Sequence, residues 1–115
     1  CYPSAAPINL IPLAQEYADL KIIMTYCGMS IFANEAAMVF KRSPNVYGDT
    51  TWSWSSTLKK WCRKCSPRFM FGTDHANNTG TELSKIRRAG LTPEEQSAFL
   101  ETTAIEVFGL ALGAD

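Results

Sequence analysis

The chain has 115 residues, 46% of them hydrophobic, with 11 basic and 11 acidic side chains and a formal net charge of zero. That length bounds it to one domain spanning 1–115, and the composition excludes a disordered tail. Zero net charge argues against nucleic-acid or acidic-membrane binding as the main task, and the longest apolar run is about half of a bilayer crossing.

Leu10 to Tyr17 has helical spacing and ends at Ala18-Asp19. The run Leu20 to Cys27 that follows has the length of a buried strand. Gly28 breaks it and Ser30 is placed to cap the next helix, where Phe32, Ala36, Val39 and Phe40 form one stripe between Ile31 and Arg42. Ser43-Pro44 stops that helix, because proline lacks the amide and its ring clashes with the preceding turn. Asn45 to Trp52 reads as a second strand, and Ser55 or Ser56 as the cap of a helix from Thr57 to Lys64. Ser66-Pro67 then punctuates before a third strand, Arg68 to Asp74, and a polar loop from His75 to Gly80. Thr81 to Ala89 is a short helix closed by Gly90. Thr92-Pro93-Glu94-Glu95 gives the last helix a capping Thr, a proline in its first turn and a Glu three residues after the cap. Phe99, Leu100, Ala104, Val107 and Phe108 are its apolar stripe, and Gly109 ends it. One helix followed by three strand–helix units, with an extra short helix before the last, predicts an α/β fold. Its strands are parallel and its crossovers right-handed. Three strands alone leave two exposed edges and a half-covered sheet, which favours a homo-oligomer.

The four cysteines are Cys1, Cys27, Cys62 and Cys65. Cys62-Arg63-Lys64-Cys65 has the spacing of half a zinc site or of a redox pair. A zinc site needs about four ligands, and no second close pair exists. A redox pair opens a helix, whereas this one ends a helical stretch. Ordinary reduced thiols are the expectation and, without a signal peptide, a cytoplasmic location.

In parallel α/β folds, ligands bind beyond the C-terminal ends of the strands. That rule selects Thr25, Tyr26 and Cys27, then Asp49, Thr50 and Trp52, then Thr73, Asp74 and His75. Phe71-Gly72-Thr73-Asp74 brings apolar residues into the core, permits close backbone approach at Gly72 and delivers a carboxylate at the rim. A buried Asp74 there suits a metal ligand or a base that activates water. A capping role suits it equally. Tyr26 and Trp52 either line a pocket for a planar substrate or cover the end of the core. His75, the single histidine, is a substrate contact or a plain loop residue. Lys59, Lys60, Arg63 and Lys64 around Trp61 make a nucleic-acid patch or a solvated helix face, and zero net charge favours the face.

Read together, the segments resemble the C-terminal part of the amidohydrolase superfamily, in the branch of metal-dependent hydrolases and decarboxylases called amidohydrolase family 2. The stretch Ala14 to Ile23 resembles the approach to the family's sixth barrel strand. Pro44 to Thr50 looks like its seventh strand and Arg68 to Asp74 like its eighth. Gly90 to Leu110 is similar to its last helix. The resemblance implies three βα units of a (β/α)8 barrel and a divalent metal, zinc or manganese. Asp74 would take the place of the ligand that also accepts a proton from metal-bound water. The substrates implied are small molecules, aromatic acids and lactones among them. Tyr26 stands where the family has histidine, and Asp74 is the one metal ligand matched, so the implied segment is inactive alone. A full barrel needs ~250 residues, and 115 hold about three of its eight units. The alternative is a non-catalytic α/β module that oligomerises through its sheet edges and binds a small molecule or partner.

Overall fold

The computed structural model describes residues 5–29, 31–65 and 67–111, apart from the side chain at 65. The thiols of Cys1 and Cys65, the cap placed at Ser30 and the break at Ser66 lie outside the described residues.

Strands β1 (Ile22–Met24), β2 (Val46–Asp49) and β3 (Phe69–Met70) lie side by side in chain order, all parallel. Ile22 stands against Val46 and Gly48 against Phe69. Around them are α1 (Leu10–Glu16), α2 (Ala33–Arg42), α3 (Ser55–Cys65) and α4 (Thr79–Arg88). The last helical stretch has three parts: α5 (Pro93–Ser97), a π turn over Ala98–Thr102, and α6 (Thr103–Phe108). The fold is α/β, as the alternation of strand and helix signals requires. Among the described residues no helix is long and apolar enough to cross a membrane.

Opposed residues of neighbouring strands share a face, so Gly48 and Phe69 point into the same layer. A Cβ at Gly48 would collide with Cys27 Sγ and come within 2.8 Å of Phe40 Cζ, so only glycine lets Cys27 and α2 close on the sheet. Phe69 stacks on Trp61 at 5.2 Å between centroids, meets Phe40 edge-on at 4.8 Å and lies 6.0 Å from Phe99. Those rings, each at most 2% exposed, are the centre of the core. Contacts of this kind each add about 0.5–1.5 kcal/mol beyond burial.

Polar side chains tie the lower end together. Arg68 Nη1 donates to the carbonyls of Ser43 and Val46 at 2.8 and 3.1 Å, and Nη2 to that of Phe40. The Asn45 amide donates to the carbonyls of Ala14, Tyr17 and Leu20, holding the end of α1 to the sheet.

The strands are shorter than the sequence predicts, for identifiable reasons. β1 stops at Met24 because Tyr26 and Cys27 adopt left-handed conformations, with φ of 58° and 45°. β3 stops at Met70 because the Thr50 carbonyl, next in line on β2, accepts instead from the Ser53 amide at 3.1 Å and Lys85 Nζ at 2.8 Å, while the outward Phe71 amide donates to the Phe99 carbonyl at 2.7 Å. The π turn makes this contact available, since its wider pitch shifts carbonyls off the α-helical pattern. Thr103 Oγ1 adds a bond to the Pro67 carbonyl at 3.2 Å. The expectation of two open edges is therefore corrected: the last helical stretch covers the β3 edge. Along β1 lies a groove of ≈ 380 Å³, lined on one side by residues between Ala5 and Leu10.

At α3, the expected serine cap is also corrected. Ser55 lies within the helix, and the Trp54 carbonyl accepts from Thr57 and Leu58 instead. The Ser55 hydroxyl is turned to the Lys85 carbonyl at 3.3 Å. The start of α5 matches its expectation in detail: Thr92 Oγ1 accepts from the Glu95 amide, and the Glu95 carboxylate from the Thr92 amide.

Candidate ligand site at the strand ends

Each strand end turns sharply as it leaves the sheet. Tyr26 beyond β1, Trp52 beyond β2 and Asp74 beyond β3 have φ of 58°, 60° and 66°. The left-handed region is unfavourable for side chains with a Cβ, less so for Asp than for Tyr or Trp, and such residues cluster at functional sites. The three turns converge on one group. Tyr26 Oη donates to Asp74 Oδ1 at 2.8 Å, and Trp52 Nε1 to Asp74 Oδ2 at 3.4 Å. His75 stands beside Trp52, ring centroids 6.3 Å apart. Of the strand-end residues selected from the sequence, Tyr26, Trp52, Asp74 and His75 are thus brought together. Asp74 is exposed at the rim, which corrects the expectation of a buried carboxylate.

The electrostatics follow from those bonds. Asp74 is held below the ordinary carboxylate range, first by the Tyr26 hydroxyl, then by the Trp52 indole. The Tyr26 phenol is pushed up, chiefly by its bond to Asp74, with further contributions from desolvation and the charges of Asp74 and Asp49. At neutral pH the pair is a carboxylate and a neutral phenol. Asp49 points its carboxylate back at its own loop, accepting from the Thr51 amide at 2.9 Å. A Cβ at Gly72 would strike Thr51 Oγ1 and reach within 2.8 Å of Asp49 Oδ1, which confirms the close approach expected there.

Under Trp52 lies a network whose role the sequence did not reveal. Glu82 on α4 is 2% exposed and accepts from the Trp52 amide at 3.2 Å and from Asn78 Nδ2 at 3.3 Å. Lys85 pairs with Glu82 and also donates to the Thr50 carbonyl at 2.8 Å. Glu82 and Lys85 have the i, i+3 spacing of a helix pair, which is visible in the sequence. Their grip on the loop after β2 is not, because it joins residues thirty or more positions apart.

The described residues do not by themselves fit a metal centre. Both Asp74 oxygens already accept from neutral donors, and among the described residues no three His, Cys, Asp or Glu come together. Tyr26 presents a hydroxyl to Asp74 and no imidazole.

The remaining candidates separate clearly. Cys27 and Cys62 are buried free thiols, Cys62 pushed up to about 12 by burial, so neither is primed as a nucleophile. Trp61 belongs to the core at 1% exposure, so it is unavailable for stacking on a nucleotide base. Lys60 and Lys64 instead border a groove with Lys41 and Arg42 at the C-terminal ends of α2 and α3. Cations there answer the negative ends of the helix dipoles.

No protein family, curated protein or solved structure matches this chain.

Proposed function

We propose that the strand-end cluster binds a small, planar, positively charged molecule, with the Asp74 carboxylate as its anchor. The observation that carries this reading is the convergence of three left-handed, non-glycine residues on one exposed carboxylate. Backbone strain of about 1–3 kcal/mol per residue is maintained there to present a preorganised acceptor. Asp49 adds a second negative charge close enough to raise the Tyr26 phenol. Trp52, 42% exposed, offers a ring face to a planar cation. A carboxylate held below its ordinary range is a weak base, so Asp74 suits binding better than proton abstraction.

Titration with benzamidinium, benzamide and benzoate tests this reading. Benzamidinium is expected to bind, with Asp74→Asn weakening it by about tenfold, the loss of one charge-assisted contact. Equal binding of benzoate, or no change in the variant, would contradict it.

A second reading follows the sequence resemblance: the chain forms the C-terminal rim of an amidohydrolase-like hydrolase and works in the cytoplasm. What favours it is the strand order, since neighbouring units of a (β/α)8 barrel are also parallel and sequential, with functional residues at the strand C-termini. The further ligands would then come from residues outside this sequence. Sequencing upstream of the codon for Cys1 tests it: an open frame encoding His-x-His supports the reading, and a stop codon in every upstream frame contradicts it.

A further inference from the structure

A hollow of ≈ 560 Å³ lies where the loop after β2 enters α3 and faces α4, with Ser53, Trp54, Ser55, Thr81, Ser84 and Arg88 on its walls. Its chemistry is the reverse of that at Asp74. Among the described residues no carboxylate lines it, and Lys85 at its back is paired with Glu82. Thr81, Ser84 and Arg88 share one face of α4 by their helical spacing.

Three further observations point to an anion. First, α3 has 11 residues and its first turn opens here. The Trp54 carbonyl takes the amides of Thr57 and Leu58, and no described acceptor reaches those of Ser55 and Ser56. Free amides at the positive end of a helix dipole form an oxyanion site. Second, Ser53 is 2% exposed, and its Oγ has no partner among the described residues. A buried hydroxyl left unpaired carries a desolvation penalty that a bound oxyanion removes. Third, Arg88 is exposed and forms no ion pair among the described residues. A guanidinium is suited to paired phosphate oxygens.

We propose that this hollow binds the phosphate group of a phosphate monoester carrying a planar ring. The phosphate is held by the first amides of α3, Ser53 Oγ and Arg88, and the ring lies on Trp54, a residue 65% exposed. Phosphate supplies several acceptor oxygens to a wall made of donors, and an aromatic body meets an exposed aromatic side chain. The site shares no side chain with the Asp74 cluster.

The test is an amide-resolved NMR titration of the whole chain with phenyl phosphate, alongside phenol and inorganic phosphate. Phenyl phosphate is expected to shift the Ser55 and Ser56 amides and the Trp54 indole saturably. Arg88→Gln should weaken it by about tenfold, Ser53→Ala by a smaller factor, and Asp74→Asn not at all. Trp54→Ala should reduce phenyl phosphate to the affinity of inorganic phosphate. Absence of saturable shifts, unchanged affinity in Arg88→Gln, or equal binding of phenol would overturn the proposal. Loss of benzamidinium binding with phenyl phosphate binding intact would count against the Asp74 site alone.

Discussion

At the scale of single residues, one carboxylate organises the rim. Asp74 accepts from a phenol and an indole carried by two other strand ends, and each of the three occupies a backbone conformation that side chains avoid. This makes its ionisation part of the folded state. A carboxyl group lowered on folding contributes stability that is fully present above the ordinary carboxylate range and is lost as pH falls through the lowered value. Asp74→Asn removes that contribution. In urea unfolding followed by circular dichroism, stability below about pH 4 should fall less steeply in the variant than in the parent chain. Parallel acid profiles would place Asp74 outside the network.

At the scale of elements, glycine and proline positions marked most boundaries correctly, because those residues act through their own backbone. The Thr92 capping box and the glycine stops at 90 and 109 were legible for that reason, both glycines having positive φ. The strand ends were not legible in detail. Tyr26 and Cys27 continue an apolar run, and nothing local in that run signals a left-handed turn. The bond from the outward Phe71 amide to Phe99 depends on a helix 28 positions further along the chain. Site residues could be chosen by type and place at strand ends, whereas Glu82 and Lys85 act through long-range packing. Gly48 tests how tightly β2 is closed. Gly48→Ala drives a methyl group into Cys27 and Phe40, and overpacking of this kind costs about 1–3 kcal/mol. Chemical denaturation should show that loss with an unchanged m-value; an unaffected midpoint would mean that α2 yields easily.

At the scale of the whole molecule, among the described residues the sheet is covered along β3 by the π turn and pairs on one side only at β1. Ile22 directs its amide to the Asn45 carbonyl just before β2, so the next residue, Ile23, directs its own amide outward. An unpaired parallel edge can accept another strand. Light scattering is expected to give a mass above 12.7 kDa that rises with concentration. Ile23→Pro removes the outward donor without touching the β1–β2 ladder, and it should return the mass to that of one chain. A well-folded monomer at every concentration would contradict pairing along β1.

The convergence of Tyr26, Trp52 and Asp74 underlies both the proposed cation site and the expected acid dependence. It is tested most directly by a pH titration of the Tyr26 ring carbons by NMR, in the parent chain and in Asp74→Asn. In the parent the phenol should titrate above its ordinary value, because its proton is held by a carboxylate. In the variant the midpoint should fall back toward ~10. The same midpoint in both proteins would mean that Tyr26 and Asp74 do not share a proton, and that the three strand ends do not form one site.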